Sequence, residues 1–125
     1  MQIQRLLPKE AAQLDPNQLD FICHQMGTGN GEAAVCAVME NLAELIYSTE
    51  IAWENGDFLG LRANCLQIRA MSEQIGMTTL VMVALDVIGL CAGDDGNALA
   101  ATVSRLQRVG ERSLLAVWDA QDGMI

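Results

Sequence analysis

The chain has 125 residues, 51% apolar and 18% charged, long and apolar enough to bury a core as one domain spanning 1–125. Sixteen acidic residues against seven basic ones leave a net charge of −9, a surface that repels nucleic-acid phosphates and anionic lipid, so neither is expected as a partner. No basic start followed by an apolar run marks a secretory signal, and the most apolar stretch, Thr79 to Ala92, is interrupted by Asp86 and too short to cross a bilayer. A cytoplasmic protein is the expectation.

A short first helix is predicted from Asp15 to about Met26. Asp15 is the N-cap, Pro16 fills the first helical position, and Leu19, Ile22, Cys23 and Met26 share an apolar face. The run Gly27-Thr28-Gly29-Asn30-Gly31 reads as a flexible inter-helix loop; no Lys-Ser or Lys-Thr follows to make it a phosphate cradle. From Gly31 to Asn55, residues Val35, Val38, Met39, Leu42, Leu45, Ile46, Thr49, Ala52 and Trp53 recur at three- and four-residue steps. That pattern predicts a second, amphipathic helix of ~37 Å, more than six turns.

Gly56 supplies a left-handed stop and Asp57 the next N-cap. The third helix, Asp57 to Ile75, is expected to bury Phe58, Leu61, Cys65, Ile68, Ser72 and Ile75 before Gly76 ends it. Thr78 or Thr79 should cap a fourth helix reaching about Ala92, apolar almost all round and so suited to an interior position. Asp94-Asp95-Gly96-Asn97 lacks the alternating ligands and closing glutamate of a calcium loop and reads as an N-cap turn. A last helix to about Asp119 presents Leu99, Thr102, Val103, Leu106, Val109, Gly110, Ser113, Val117 and Trp118. Long helices joined by short loops run antiparallel, so the expected fold is all-α: an up-and-down four-helix bundle with the short N-terminal helix capping one end.

Catalytic and metal constellations are sparse. Cys23, Cys36, Cys65 and Cys91 form no C-x-x-C pair and read as small core hydrophobes, not zinc ligands or disulfide partners. Glu40, Glu44, Glu50 and Glu54 line one side of the second helix, but di-iron chemistry needs two Glu-x-x-His pairs and the chain has one histidine, His24. No metal and no cofactor is expected. Arg105, Arg108 and Arg112 share a face of the last helix away from its apolar stripe and read as solvated, with a basic docking patch as the lesser alternative.

The third helix offers more. At ~100° per residue its core stripe centres near Cys65 and Ile68, while Leu59, Arg62, Leu66, Arg69 and Glu73 fall on another face. Leu66, flanked by arginines one turn to either side, suggests a small docking surface in a chain with few basic residues.

Here the layout resembles the histidine phosphotransfer (Hpt) domain of bacterial phosphorelays, over nearly the whole chain. In that family a short helix beginning Leu-Asp leads to a long helix, a Gly-Asp turn and a helix bearing the phosphoacceptor histidine. Leu14-Asp15, the second helix and Gly56-Asp57 correspond. The family's histidine stands nine residues beyond that aspartate and ten before the glycine ending the helix, and both spacings select Leu66. Where the family has lysine three residues on, this chain has Arg69; its following glycine and small residue are Ala70 and Met71. Leucine has no nucleophilic atom, so position 66 does not carry phosphate.

The resemblance therefore implies a non-catalytic interaction module of two-component signalling, a monomer or weak dimer. Its partner would be a response-regulator receiver domain or a histidine kinase, docking on Leu59, Arg62, Leu66, Arg69 and Glu73. Two alternatives stand beside it: phosphotransfer through His24, and a helical assembly protein that dimerises through its fourth and fifth helices.

Overall fold

In the computed structural model, which describes residues 12–122, five helices follow one another and no strand occurs among the described residues. They are α1 (Pro16–Met26), α2 (Thr28–Glu54), α3 (Phe58–Gln74), α4 (Thr78–Cys91) and α5 (Gly96–Asp122). α2 packs on α3, α3 on α4, α4 on α5 and α5 back on α2, while α1 lies against α2. Among the described residues, no helix is long and apolar enough to cross a membrane.

Asp15 caps α1 as its sequence predicts, accepting from the Asn17 N–H at 3.0 Å. The next segment differs from expectation. Only Gly27, at φ 79°, separates α1 from α2, so Thr28 to Gly31 are helix and not a flexible loop. The reason is packing. A Cβ at Gly31 would stand 2.8 Å from the Cys23 Cα, so this glycine lets the two helix backbones touch. α2 thus reaches 27 residues, about seven and a half turns.

Its core stripe is the one its periodicity gives: Val35, Met39, Leu42, Ile46, Thr49 and Ala52 are buried. Opposite it, α5 runs antiparallel. The Cys36 thiol meets Gln121 Oε1 at 3.9 Å, Gln107 Nε2 donates to the Ile46 carbonyl at 3.1 Å, and Ile46 lies against Gly110. Asp95 caps α5 by accepting from the Ala98 N–H at 3.0 Å.

Four assignments of apolar residues need correction. Phe58, the first residue of α3, is exposed and not core; it lies across the turn against Trp53, ring centroids 6.2 Å apart. Trp118 is exposed because Val117, one residue earlier, takes the core position. Met26, at the end of α1, is exposed as well. α4 is not an interior helix: Leu80, Val83, Ala84 and Val87 are buried, whereas Met82 and Leu85 stand in solvent beside Asp86. A helix packed mainly on two others keeps one face outside, whatever its composition.

Thr78 and Thr79 do not cap α4, whose N-cap position is Met77 without a side-chain bond. Their hydroxyls hold the incoming chain instead. Thr79 Oγ1 accepts from the Gln13 N–H at 2.9 Å and Thr78 Oγ1 donates to the Gln13 carbonyl at 3.2 Å. The Asp15 N–H donates to the Gly76 carbonyl at 2.7 Å and Gln18 Nε2 to that of Gln74 at 2.9 Å. The start of α1 is thereby fixed on the α3–α4 turn.

Candidate functional site

Two glycine turns set the register of α3. At its start the Asp57 N–H donates to the Ala52 carbonyl at 2.8 Å and the Gly56 N–H to that of Trp53, with Gly56 at φ 68°. At its end Met77 bonds Ser72 at 2.9 Å and Gly76, at φ 75°, bonds Glu73. Both are Schellman closures, in which a left-handed glycine satisfies carbonyls that a helix end leaves open. Asp57 then caps α3, accepting from the Gly60 N–H at 2.9 Å. A Cβ at Gly60 would run into the Asp57 carboxylate, so the cap and this glycine belong together.

With both ends fixed, α3 buries Leu61, Cys65, Ile68 and Ser72, and the opposite stripe faces solvent. Leu59 is 85% exposed and Leu66 41% exposed. Arg62 and Glu73 are exposed, whereas Arg69 is half-buried. Arg69 Nη2 reaches Glu73 Oε1 at 3.2 Å, and its Nε is buried without a hydrogen-bond partner. Both side chains of the pair stay about half in water, so this i,i+4 contact is worth a few tenths of a kcal/mol at most.

The thiol beneath this face is no nucleophile. Burial pushes the Cys65 thiol up to about 12, with the neighbouring Cys91 adding to the effect, so it stays protonated and inert. Burial also raises the Cys91 thiol, against a lowering from the positive charge of Arg62. None of the four cysteines is in a disulfide. Among the described residues no three His, Cys, Asp or Glu side chains converge in a way that would hold a metal ion. The stripe offers an apolar centre with an arginine one turn to either side, which is chemistry for binding.

The face extends further than its sequence stripe indicates. At the Glu73 end a cavity of about 270 Å³ lies between α3 and α4, lined by Asp15, Ser72, Glu73, Thr78, Val81 and Met82 among others. Met82 and Leu85 on α4 are exposed beside it. The polar residue inside the apolar α4 run, Asp86, marks that outward side and is the signal that finds it.

The remaining candidates lie elsewhere. His24 is exposed in the last turn of α1. On α5, Arg105 is half-buried and pairs with Asp86 of α4 at 3.6 Å, Arg108 Nη1 donates to Ser104 Oγ at 2.9 Å, and Arg112 is exposed. The arginine row is therefore engaged within the fold over part of its length, not wholly solvated. No protein-family model, curated protein or solved structure matches this chain.

Proposed function

We propose that this chain is a degenerate histidine phosphotransfer-like domain, an up-and-down four-helix bundle of α2–α5 with α1 across one end, acting in the cytoplasm. On this reading it docks on a response-regulator receiver domain or a histidine kinase without carrying phosphate. The closed ring of packing from α2 through α5, with short turns between them, supports the bundle. One observation carries the function: between the two glycine closures Leu66 stands outward, an arginine one turn to either side, and the resemblance equates this position with the family's histidine.

Leu66 is the apolar anchor, and Arg62 and Arg69 meet the acidic groups around a receiver's phosphoacceptor aspartate. Occupying that pocket without accepting phosphate inhibits or scaffolds a relay, since packing and charge complementarity do not need an imidazole. The test incubates the purified chain with the receivers and kinases of the same organism, each loaded with radiolabelled phosphate. Stable binding to at least one of them with no label on the chain is expected. Acid-labile phosphate on His24 would replace the reading with phosphotransfer. A concentration-dependent dimer that binds none of them would replace it with an assembly role.

A further inference from the structure

A second surface lies on another side of the molecule, along the seam of α2 and α5. There a groove of about 480 Å³ is floored by Cys36, Met39, Ala43 and Leu114 and walled by Leu115 and Trp118. Leu115 is 59% and Trp118 56% exposed, although burying either elsewhere in the fold would have been favourable. Its one charged lining residue is Glu40. Glu44 on α2, and Glu111 and Asp119 on α5, are exposed along it, with Arg112 exposed between the two α5 carboxylates. Further along the same seam a second hollow of about 460 Å³ holds Glu50, Trp53 and Glu54, with Arg108 on its α5 side already bonded to Ser104.

We infer that this seam is a docking groove for a basic amphipathic helix of another protein, one with apolar anchors along one face and Lys or Arg at both edges. Two antiparallel helices leave between them a channel that accepts a third at ~8–10 Å. Anchors at i, i+3 and i+7 on that third helix would sit over Ala43 and between Leu115 and Trp118. Carboxylates outnumber arginines along the groove and select the sign of the helix edges. The face around Leu66 has the opposite sign at its arginines, so the two surfaces take different partners.

The probe is a synthetic 18-residue helix with leucines on one face and lysines at both edges. It is titrated into the isotope-labelled full chain and followed by amide and indole NMR shifts. Shifts confined to residues 36–47 and 111–119, with the Trp118 indole moving and the Trp53 indole still, are expected. The same helix with glutamate edges should not bind. Because the altered side chains are exposed, Glu40→Lys with Glu111→Lys should weaken binding about tenfold without unfolding the chain, and Leu115→Ser by a similar factor. Shifts centred elsewhere, equal binding by the altered chains, or self-association of the free chain that Leu115→Ser abolishes would overturn the assignment. The face around Leu66 plays no part in this test, so the two proposals succeed or fail separately.

Discussion

Gly56→Ala and Gly76→Ala form a matched pair that isolates what the N-terminal segment contributes. Both glycines close a helix at positive φ, 68° and 75°, so alanine at either pays the left-handed cost of roughly 1–2 kcal/mol. Any gain from a stiffer unfolded chain is common to both. Beyond that the sites differ. A Cβ at Gly56 meets nothing within 4 Å, whereas at Gly76 it stands 2.9 Å from the Asp15 carbonyl oxygen and 3.0 Å from Gln18 Cβ. Relief means moving the start of α1, which weakens the Asp15–Gly76 bond and the Gln13 bonds to Thr78 and Thr79, each contributing about 0.5–1.5 kcal/mol. Gly76→Ala should therefore lose roughly 2–4 kcal/mol against about 1–2 for Gly56→Ala, measured by urea unfolding followed by circular dichroism. Hydrogen exchange at the Asp15 amide should quicken only in Gly76→Ala. Equal losses within about 0.5 kcal/mol, with that amide still protected, would refute the idea that the N-terminal segment is clamped on this turn.

Further outcomes follow from single residues. Burial holds the Cys65 thiol at about 12 against an ordinary value of 9.0. Its contribution is thus complete below pH 9 and lost as pH rises toward 12, about 1 kcal/mol by pH 10. Denaturation curves of the wild-type chain and Cys65→Ala should converge over that range; parallel profiles would contradict it. Ser72 and Ser113 are buried with unpartnered hydroxyls, so alanine at either should leave stability unchanged or raise it by up to ~1 kcal/mol, and a loss above that would mean the hydroxyls are bonded. Leu66→His restores an acceptor atom while the half-buried Met71 stays five residues on, and only slow labelling by a phosphorylated receiver is expected; rapid labelling would show that the departure at Met71 is harmless.

Much of the fold is legible in the sequence because helix stops are written in local chemistry. Gly56, Asp57, Gly76 and Asp95 act where their residue types say they should, since a left-handed closure or an N-cap depends on a few adjacent atoms. The stripe of α3 is equally readable, because buried Leu61, Cys65 and Ile68 fix the phase and leave Leu66 outward. What the sequence hides is decided by neighbours. Gly31 looks like a loop residue until Cys23 is seen against it, and Thr78 and Thr79 look like caps until Gln13 arrives. Composition misleads most in α4, where Met82 and Leu85 are as apolar as the core yet none of the described elements covers them. The α2–α5 groove is invisible for the same reason: it joins residues more than 70 positions apart in the chain, such as Met39 and Leu114.

The central claim is tested most directly by dissociation constants for the organism's purified receiver domains and kinase dimerisation domains against the wild-type chain, Leu66→Asp and Arg69→Glu. Leu66→Asp removes an apolar contact and sets a carboxylate against an acidic pocket. It should weaken the cognate complex by ~1–3 kcal/mol, roughly tenfold to a hundredfold. Arg69→Glu should act in the same direction and flatten the dependence on salt. Leu66→Asp should lower the stability of the free chain by no more than about 0.5 kcal/mol and Arg69→Glu by up to about 1 kcal/mol, since the second replaces the Arg69–Glu73 pair with like charges. Complexes that form equally well with all three chains would place the docking surface elsewhere and contradict the account.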